Sequence, residues 1–477
     1  MKSPWSSTCN FRTTSNIEGD MNKQRYGIFL LALFLCLSVL GGCASLQKQQ
    51  DEELKPPTSI QPSTPVTQPE PVPKPKPAAP TLPAREPRPA YPEILQPDPS
   101  SMKLLAPDEI PLLTDDLSRD SLLAAIEQSL LFYSRIPRDN RQPMGPVVCT
   151  ADELQETLLL FQKILQDSSS EEELKEKIAD SFDFYQAAGR DRKGTVLFTG
   201  YFEPIIKGSI ERSDAFSFPI YRPPEETVVI NLGRFKSRYM GETLTGRLYG
   251  GEVIPHYTRE EIDGKGALSG RDLEIAWAED SVELFFLHIQ GSGIMELPDG
   301  QSIRVGYARS NGHPFRGLAK VLFEQGKISK NEMSHEAVKR YLQEHPGERA
   351  ELMHQNPSYV FFQLREGGNV GSHNVSLTAG RSIATDPKYF PRGALALIQS
   401  RKPVFTKNGS IMNWVPFSRF VLNQDAGGAI KGTGRVDLFC GTGSDAERVA
   451  GSLKENGSLF FLLKKKGLPG NEAATVF

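Results

Sequence analysis

A proline-rich segment between Pro56 and Pro97 most strongly limits what this chain can fold into. It has a proline at roughly every third position, interspersed with Thr, Gln, Lys, Glu and Ala. Because proline lacks a backbone N–H and fixes φ, such a segment forms no packed core and favours an extended polyproline II conformation. The segment therefore predicts a tether, and the folded part of the 477-residue chain is expected after about residue 105.

A basic stretch followed by an apolar stretch precedes the tether. Asn22-Lys23-Gln24-Arg25 lead into an apolar run from Tyr26 to Leu40, which ends at Leu40-Gly41-Gly42-Cys43-Ala44. The order of basic, apolar and small residues before a cysteine resembles a bacterial lipoprotein signal. The apolar run is also shorter than the about 20 residues that span a bilayer as a helix.

From this resemblance we expect a signal peptide at 1–42, with Met21 as an alternative start. Cleavage before Cys43 would leave that cysteine lipidated, and 43–105 would comprise the lipidated cysteine and the tether. Ala44 stands where an inner-membrane retention signal typically has Asp. The resemblance therefore implies a lipid anchor on the periplasmic face of the outer membrane.

The composition excludes several classes of function. The net charge of -3 and the pI of about 6.2 provide no basic surface for nucleic acid. Of the five cysteines, three fall in or next to the predicted signal, and the remaining Cys149 and Cys440 could pair but do not make a disulfide scaffold. The seven histidines are dispersed, without metal-ligand spacing. We expect neither a metal nor an organic cofactor.

Hydrophobic periodicity separates helices from strands. Spacings of three and four predict helices at Leu117–Tyr133, Ala151–Leu165, Glu171–Ala188, Phe315–Glu324, Ser334–Glu344 and Ser444–Glu455. Short apolar runs between glycines and prolines predict strands at Thr195–Phe202, Val228–Ile230, Glu283–Ile289, Ser302–Tyr307, Tyr359–Leu364 and Ser458–Lys464. Because the strands do not alternate regularly with helices, the pattern favours barrels over a doubly wound sheet.

Two carboxylates flank a glycine-rich turn near the end of the chain. Asp425 follows an apolar run, and Asp437 lies within the next one. Glycine permits positive φ and close approach of the backbone to a ligand, which we expect at Gly427, Gly428, Gly432 and Gly434. The pattern is typical of a catalytic loop, but surface turns are rich in Asp and Gly for conformational reasons alone.

Four further motifs lie after Thr195. They are Thr199-Gly200-Tyr201-Phe202-Glu203-Pro204, His288-Ile289-Gln290-Gly291-Ser292-Gly293, Gly306-Tyr307-Ala308-Arg309-Ser310-Asn311-Gly312-His313 and Asn356-Pro357-Ser358-Tyr359-Val360-Phe361-Phe362. Together with the block from Asp425 to Asp437, they resemble the membrane-bound lytic murein transglycosylase A family. Asp386, Asp425 and Asp437 match the acids that give the family's three-aspartate (3D) domain its name.

The resemblance implies a mainly β fold with flanking helices. One domain would be a double-psi β-barrel formed by 106–204 and 368–477, with the 3D domain at about 370–465. The other would be a β-rich domain inserted at 205–367. Peptidoglycan strands would lie in the groove between the two domains.

The resemblance also implies the reaction. The family cleaves the β-1,4 bond between N-acetylmuramic acid and N-acetylglucosamine without water and leaves a 1,6-anhydromuramoyl end. Because the sugar's own 6-hydroxyl attacks the anomeric carbon, one carboxyl can act first as acid and then as base, whereas ordinary glycosidases need two. Asp437 is expected to be that acid, with a raised pKa, and Asp425 its support. The exchanged assignment stays open, as does a purely structural role for the supporting residue Asp386.

Other residues of the motifs have side chains suited to sugar hydroxyls and N-acetyl groups. We expect substrate contacts from Gln290, Tyr307, Asn311, His313, Gly427 and Gly428, each with a structural role as the alternative. Glu203 is expected at the surface unless it faces Asp437. The implied partners are peptidoglycan strands, the outer membrane and cell-wall synthesis proteins, and we expect a monomer.

Two other functions are compatible with the same residues. Asp425 and Asp437 could form the carboxylate pair of a hydrolytic glycosidase. A lipoprotein that only grips peptidoglycan could use the same groove without catalysis. The proline-rich tether would also serve a scaffold for cell-wall synthesis proteins.

Overall fold

The computed structural model describes residues 97–239 and 242–467. The predicted signal peptide, the lipidation site Cys43 and nearly all of the tether lie outside the described residues. Within the described ranges, no helix combines the length and the apolar character needed to cross a membrane.

The described residues form strands and helices in an irregular order. The strands are β1 Met102–Leu104, β2 Arg141–Met144, β3 Val147–Thr150, β4 Phe182–Ala187, β5 Val196–Glu203, β6 Ile205–Ser209, β7 Phe218–Tyr221, β8 Thr227–Asn231, β9 Thr243–Tyr249, β10 Glu252–Ile254, β11 Glu274–Ala278, β12 Ser292–Glu296, β13 Ser302–Ser310, β14 Val360–Arg365, β15 Ser382–Ala384, β16 Leu395–Phe405, β17 Ile411–Asp425, β18 Arg435–Thr442 and β19 Lys454–Lys464. The α-helices are α1 Arg119–Tyr133, α2 Ala151–Asp167, α3 Glu171–Ser181, α4 Ser281–Gln290, α5 Leu318–Glu324, α6 His335–Glu344, α7 Arg349–His354 and α8 Gly443–Ser452.

Six of the strands close into a barrel. Their order is β19-β16-β17-β15-β18-β5, and β5 pairs back onto β19. The pairs β15–β17 and β18–β5 are parallel, whereas the other barrel pairs are antiparallel. Closure gives each barrel strand a partner on both sides, so no barrel edge is left to pair with another chain. The predicted mainly β fold with a barrel and flanking helices is confirmed.

The barrel core is continuous with the helices that precede it. The Phe161 ring of α2 lies 5.7 Å from that of Phe182 and 4.9 Å from that of Phe420, measured between centroids. Leu395 to Ile398 are all buried, because this part of β16 has the barrel interior on one face and packed structure on the other. The helices α1 and α2 are therefore part of the barrel's core.

A buried ion pair fixes the start of α1 to the barrel. Arg381 is fully buried, and its Nη1 and Nη2 lie 2.6 and 2.8 Å from the two carboxylate oxygens of Asp115. The same guanidinium donates to the backbone carbonyls of Phe420 and Ser118 at 2.7 and 2.9 Å. Its charge is thus compensated by a bidentate partner, the arrangement in which a buried arginine is tolerated.

A second β-rich region lies between β5 and β15 along the chain. It contains a six-stranded sheet in the order β14-β13-β12-β6-β11-β7 and a three-stranded sheet in the order β10-β9-β8. The chain passes from the barrel to this region at Pro204, between β5 and β6, and returns between β14 and β15. We retain the boundaries at 204/205 and 367/368 as a proposal, since both fall at these passages.

One predicted strand was wrong. Residues 283–289 belong to α4, whose N-terminus is capped by the Asp280 carboxylate and whose C-terminus is followed by Gly291 with φ of 82°. A short apolar run does not distinguish a buried helix from a buried strand. The acidic N-cap and the C-terminal glycine were the local signals for a helix.

One predicted helix was too long. Ser170 caps α3 as predicted, since its side chain accepts from the Glu173 N–H, but the helix ends at Ser181. Residues 182–187 form β4 instead, which pairs with β19 and β1. Packing of Phe182 and Phe184 in the barrel core overrode the helical spacing.

Cys149 and Cys440 do not pair. Both are free thiols, located on β3 and β18. Burial raises the pKa of each thiol to about 12, so both remain protonated at neutral pH.

Candidate active site

A row of five residues crosses neighbouring strands of the barrel. Strand register pairs Lys454 with Thr199, Thr199 with Asp437, Asp437 with Ala384, and Ala384 with Asp425. Directly paired residues project from the same face of a sheet. The two predicted carboxylates therefore lie on one face, on either side of the small Ala384.

The alternation of side chains between the two faces of β18 places Asp437 on this face. Val436 and Leu438 are buried in the barrel core, so the residue between them projects to the opposite side. The same alternation in β5 places Phe198 in the core and Thr199 beside Asp437.

Two consecutive side-chain hydrogen bonds link Asp437 to Thr199 and Thr199 to Arg435. The Thr199 hydroxyl donates to Oδ1 of Asp437, and Nη2 of Arg435 donates to the Thr199 Oγ1 at 3.3 Å. Burial raises the pKa of Asp437, and the negative charge of Asp425 raises it further, while the Thr199 hydrogen bond and the Arg435 charge oppose the rise. The net effect favours a protonated carboxyl, as a general acid requires.

Asp425 is surrounded by hydrogen-bond donors. The Tyr201 hydroxyl donates to Oδ2 at 2.8 Å, while the backbone N–H groups of Ser372 and Ala426 donate to Oδ1 at 2.7 and 2.8 Å. Burial and the neighbouring Asp425 and Asp437 raise the pKa of Tyr201 well above its usual value, so its hydroxyl stays a donor. Both oxygens of Asp425 therefore act as acceptors, and its geometry is fixed from three directions.

Asp386 secures the glycine-rich turn. Its side chain is buried, with Oδ2 accepting from the Gly432 N–H at 2.8 Å and Oδ1 from the Lys388 N–H at 3.2 Å. These bonds tie the end of β15 to the segment before β18, which supports a structural role for Asp386.

The prediction that four glycines of the turn take positive φ was correct for one of them. Gly432 has φ of 78°, whereas Gly427, Gly428 and Gly434 lie outside the left-handed region. At Gly434, a close approach explains the glycine, since a Cβ would lie 2.2 Å from Cγ of Arg190. Gly428 is exposed at the turn, and Gly427 is half-buried.

Two of the residues expected to contact sugar form hydrogen bonds within the protein. Asn311 is buried, donates to the carbonyls of Tyr257 and Pro357 at 2.9 Å each, and accepts from the Tyr359 N–H at 2.9 Å. His313 is bonded through Nε2 to the carbonyl of His256 at 2.7 Å. These hydrogen bonds support the structural alternative for the buried amide of Asn311. Contacts of Asn311 and His313 with substrate remain a prediction.

Gln290 and Tyr307 keep groups that can face a ligand. Oε1 of Gln290 accepts from the Phe202 N–H at 3.2 Å, which leaves the amide NH₂ as a donor. Tyr307 is 48% exposed, with its side chain on the solvent side of β13. Their contacts with substrate remain a proposal.

The expectation that Glu203 lies at the surface was wrong. Glu203 is only 1% exposed, forms an ion pair with Arg304, and accepts from the Thr442 hydroxyl at 2.8 Å. Arg304 belongs to β13 and Thr442 to β18, so this carboxylate links the barrel to the second β-rich region. The positive charge of Arg304 offsets the cost of burying the Glu203 carboxylate. A sequence pattern cannot reveal this ion pair.

Four groups that build the site were not predicted as site residues. Thr199 and Tyr201 lie two residues apart in a recognised motif on β5, and this period-2 spacing was an available signal. Arg435 precedes Asp437 by two residues on β18, so it shares its face. Ser372 contributes only its backbone N–H, which leaves no trace in the sequence.

The described part of the chain contains no group of three or more His, Cys, Asp or Glu side chains arranged to hold a metal ion.

Comparison with known proteins identifies the family. The MltA specific insert domain matches residues 197–363, and the 3D domain matches residues 381–463. The membrane-bound lytic murein transglycosylase A of Escherichia coli K12 is 32% identical over 298 residues, which cover 62% of this chain and 72% of the relative. The chain belongs to the membrane-bound lytic murein transglycosylase A (MltA) family.

Solved structures agree with membership of the MltA family. The membrane-bound lytic murein transglycosylase of Agrobacterium tumefaciens has a TM-score of 0.62 and 27% identity, covering 76% of this chain and 98% of that one. E. coli MltA with bound chitohexaose has a TM-score of 0.59 and 25% identity, covering 78% and 97%. The predicted family and the predicted enzyme class, a lytic murein transglycosylase, are confirmed.

Proposed function

We propose that this enzyme cleaves the bond between N-acetylmuramic acid and N-acetylglucosamine in peptidoglycan and leaves a 1,6-anhydromuramoyl end. The observation that carries the proposal is the raised pKa of the Asp437 carboxyl, on the same barrel face as Asp425. The chitohexaose bound to E. coli MltA supports a glycan substrate, because it shares the β-1,4-linked N-acetylhexosamine backbone of peptidoglycan.

Asp437 acts first as acid and then as base. The Thr199 hydroxyl occupies Oδ1, which leaves Oδ2 to carry the transferable proton. That proton passes to the glycosidic oxygen as its bond to the anomeric carbon breaks. The muramoyl 6-hydroxyl then attacks the anomeric carbon, and its proton returns to the Asp437 carboxylate. The cycle consumes no water and restores the enzyme.

Asp425 supports the positive charge that develops on the sugar. The transition state at a cleaved glycosidic bond resembles an oxocarbenium ion. A carboxylate fixed by Tyr201, Ser372 and Ala426 is preorganised to stabilise this charge. The raised pKa of Asp437 and the three hydrogen bonds that Asp425 accepts favour this assignment over the exchanged one.

The origin of the oxygen in the products tests this reaction. Digestion of peptidoglycan in water labelled with heavy oxygen is expected to give 1,6-anhydro ends without label, because the attacking oxygen belongs to the sugar. Labelled reducing ends would establish a hydrolytic glycosidase. Binding without any new ends would establish a non-catalytic peptidoglycan-binding protein.

The raised pKa of Asp437 also predicts an effect on stability. A carboxyl with a raised folded-state pKa contributes stability fully below the unfolded pKa, near 3.8, and loses it as pH rises through the folded pKa. Asparagine does not ionise, so Asp437→Asn does not lose this stability as the pH rises. The variant should therefore have a higher Tm than the wild type near pH 7, and the difference in Tm should be smaller near pH 3. An equal Tm difference at both pH values, measured by calorimetry, would contradict the buried acid.

We also propose that lipid on Cys43 anchors the enzyme to the periplasmic face of the outer membrane, as a monomer. The signal-like segment before Cys43 and the membrane-bound relatives support this proposal. The proline-rich tether would let the catalytic domain reach peptidoglycan, and binding to cell-wall synthesis proteins remains a further prediction.

Cys43→Ser should release the enzyme from membranes. Without the thiol there is no site for the lipid, so most of the protein should move from the sedimented membrane fraction to the soluble fraction, as measured by immunoblotting. Cys149→Ser is the matched control and should remain with the membranes. A Cys43→Ser protein that still sediments with outer membranes would overturn the lipid anchor.

A further inference from the structure

A cavity of about 180 Å³ opens beside the row of five paired barrel residues, on the side of Asp437 away from Asp425. Its walls come from β5, from the end of α8 with the start of β19, and from the residues at the start of α6. Thr199 lines this cavity and also donates to Asp437, so the cavity adjoins the proposed proton donor. A group bound here would lie next to the sugar that is cleaved.

The polar side chains at the cavity retain hydrogen-bond donors. Gln290 uses Oε1 to accept from the Phe202 N–H, which leaves its NH₂ group to donate. The Ser334 hydroxyl accepts from the Ala337 N–H at 3.1 Å, which leaves its proton able to donate to a ligand. These groups suit a ligand that accepts hydrogen bonds.

Lys454 supplies an uncompensated positive charge. It is exposed at the cavity, and within the described residues its ammonium group has no hydrogen bond or ion pair. The nearby ammonium group of Lys339 is compensated, since it contacts the Glu447 carboxylate at 3.0 Å. The imidazole of His335 contacts the same carboxylate at 3.2 Å. The cavity therefore combines one free cation with neutral donors, which matches a carboxylate.

We propose that Lys454, Gln290 and Ser334 form a subsite for a carboxylate on the lactyl-peptide arm of the muramoyl residue. This inference rests on the proposed function, because it assumes that peptidoglycan lies across Asp437. The sugar backbone of peptidoglycan is uncharged, and its anions belong to this arm, either to the peptide stem or to the lactyl group once the stem is removed. The subsite would orient the muramoyl residue for attack by its own 6-hydroxyl.

Lys454→Gln should weaken the use of substrates that carry this carboxylate. On soluble glycan strands with intact stems, we expect KM to rise about tenfold, the effect of losing one hydrogen bond to a charged group, with kcat nearly unchanged. Chitohexaose lacks carboxylates, so its Kd should be the same for the variant and the wild type. Lys454→Arg should restore most of the affinity, and Lys163→Gln, at an exposed position on α2, controls for net charge.

A second substrate locates the carboxylate. Strands stripped by an amidase retain only the lactyl carboxylate, whereas in intact strands that carboxyl is an amide and only the stem carries carboxylates. A KM increase on intact strands alone therefore assigns the subsite to a stem carboxylate, an increase on stripped strands alone assigns it to the lactyl carboxylate, and an increase on both shows that it accepts either one. Equal KM values for Lys454→Gln and the wild type on both substrates would overturn the inference, as would a parallel loss of chitohexaose affinity. If the wild type releases no anhydro ends at all, the proposed function fails instead.

Discussion

Asp437→Asn should lower kcat on peptidoglycan by about 10²- to 10⁴-fold, the usual contribution of a general acid and base. Asparagine keeps the size of the side chain and can still accept from the Thr199 hydroxyl, but it has no proton to give to the glycosidic oxygen. Release of soluble muropeptides, followed by liquid chromatography, measures the loss. The Kd for chitohexaose should change little, because the contribution of Asp437 is made mainly in the transition state.

Two variants make this result specific. Asp445→Asn removes an exposed carboxylate from α8 and should leave kcat unchanged. Asp425→Asn should also lower kcat, because it replaces an acceptor of three hydrogen bonds that stabilises the developing charge. If Asp425→Asn abolished activity while Asp437→Asn retained it, the two acids would have the exchanged roles.

Arg381→Met should destabilise the protein by about 3–5 kcal/mol, the usual cost of breaking a buried ion pair by removing one partner. Methionine fills part of the space, but it leaves the Asp115 carboxylate without its bidentate partner. The backbone carbonyls of Phe420 and Ser118 also lose their guanidinium donor. Denaturant unfolding should therefore give a lower midpoint.

A double variant separates the unpaired charge from lost packing. Adding Asp115→Asn to Arg381→Met removes the uncompensated carboxylate, so the double variant should be more stable than Arg381→Met alone. Arg401→Met, at an exposed arginine, should change the free energy of unfolding by no more than about 0.5 kcal/mol. An effect of Arg381→Met equal to that of Arg401→Met would show that the buried pair contributes nothing.

The barrel and its acids could be predicted because their signals are local. Short apolar runs between glycines indicated strands, and the acids after Leu422 and Val436 were expected at strand positions near a turn. Successive side chains of a strand point to opposite faces, so Asp437 of β18 projects from the barrel while Val436 and Leu438 face its core.

Other parts of the site depend on contacts between distant segments. Asn311 belongs to a recognised motif, but only the fold shows that its amide bonds the backbone around Tyr257, Pro357 and Tyr359. Lys454 reaches the site because β19 pairs with β5 to close the barrel, 255 positions from Thr199 along the chain. A linear pattern contains no information on such a register.

The products formed from purified peptidoglycan test the proposed reaction most directly. Muropeptides released by the wild-type protein and by Asp437→Ala should be compared by mass spectrometry. We expect fragments one water lighter than hydrolysis products from the wild type, and none from the variant. Hydrated ends from the wild type, or undiminished anhydro ends from Asp437→Ala, would contradict a transglycosylase that uses Asp437 as its acid and base.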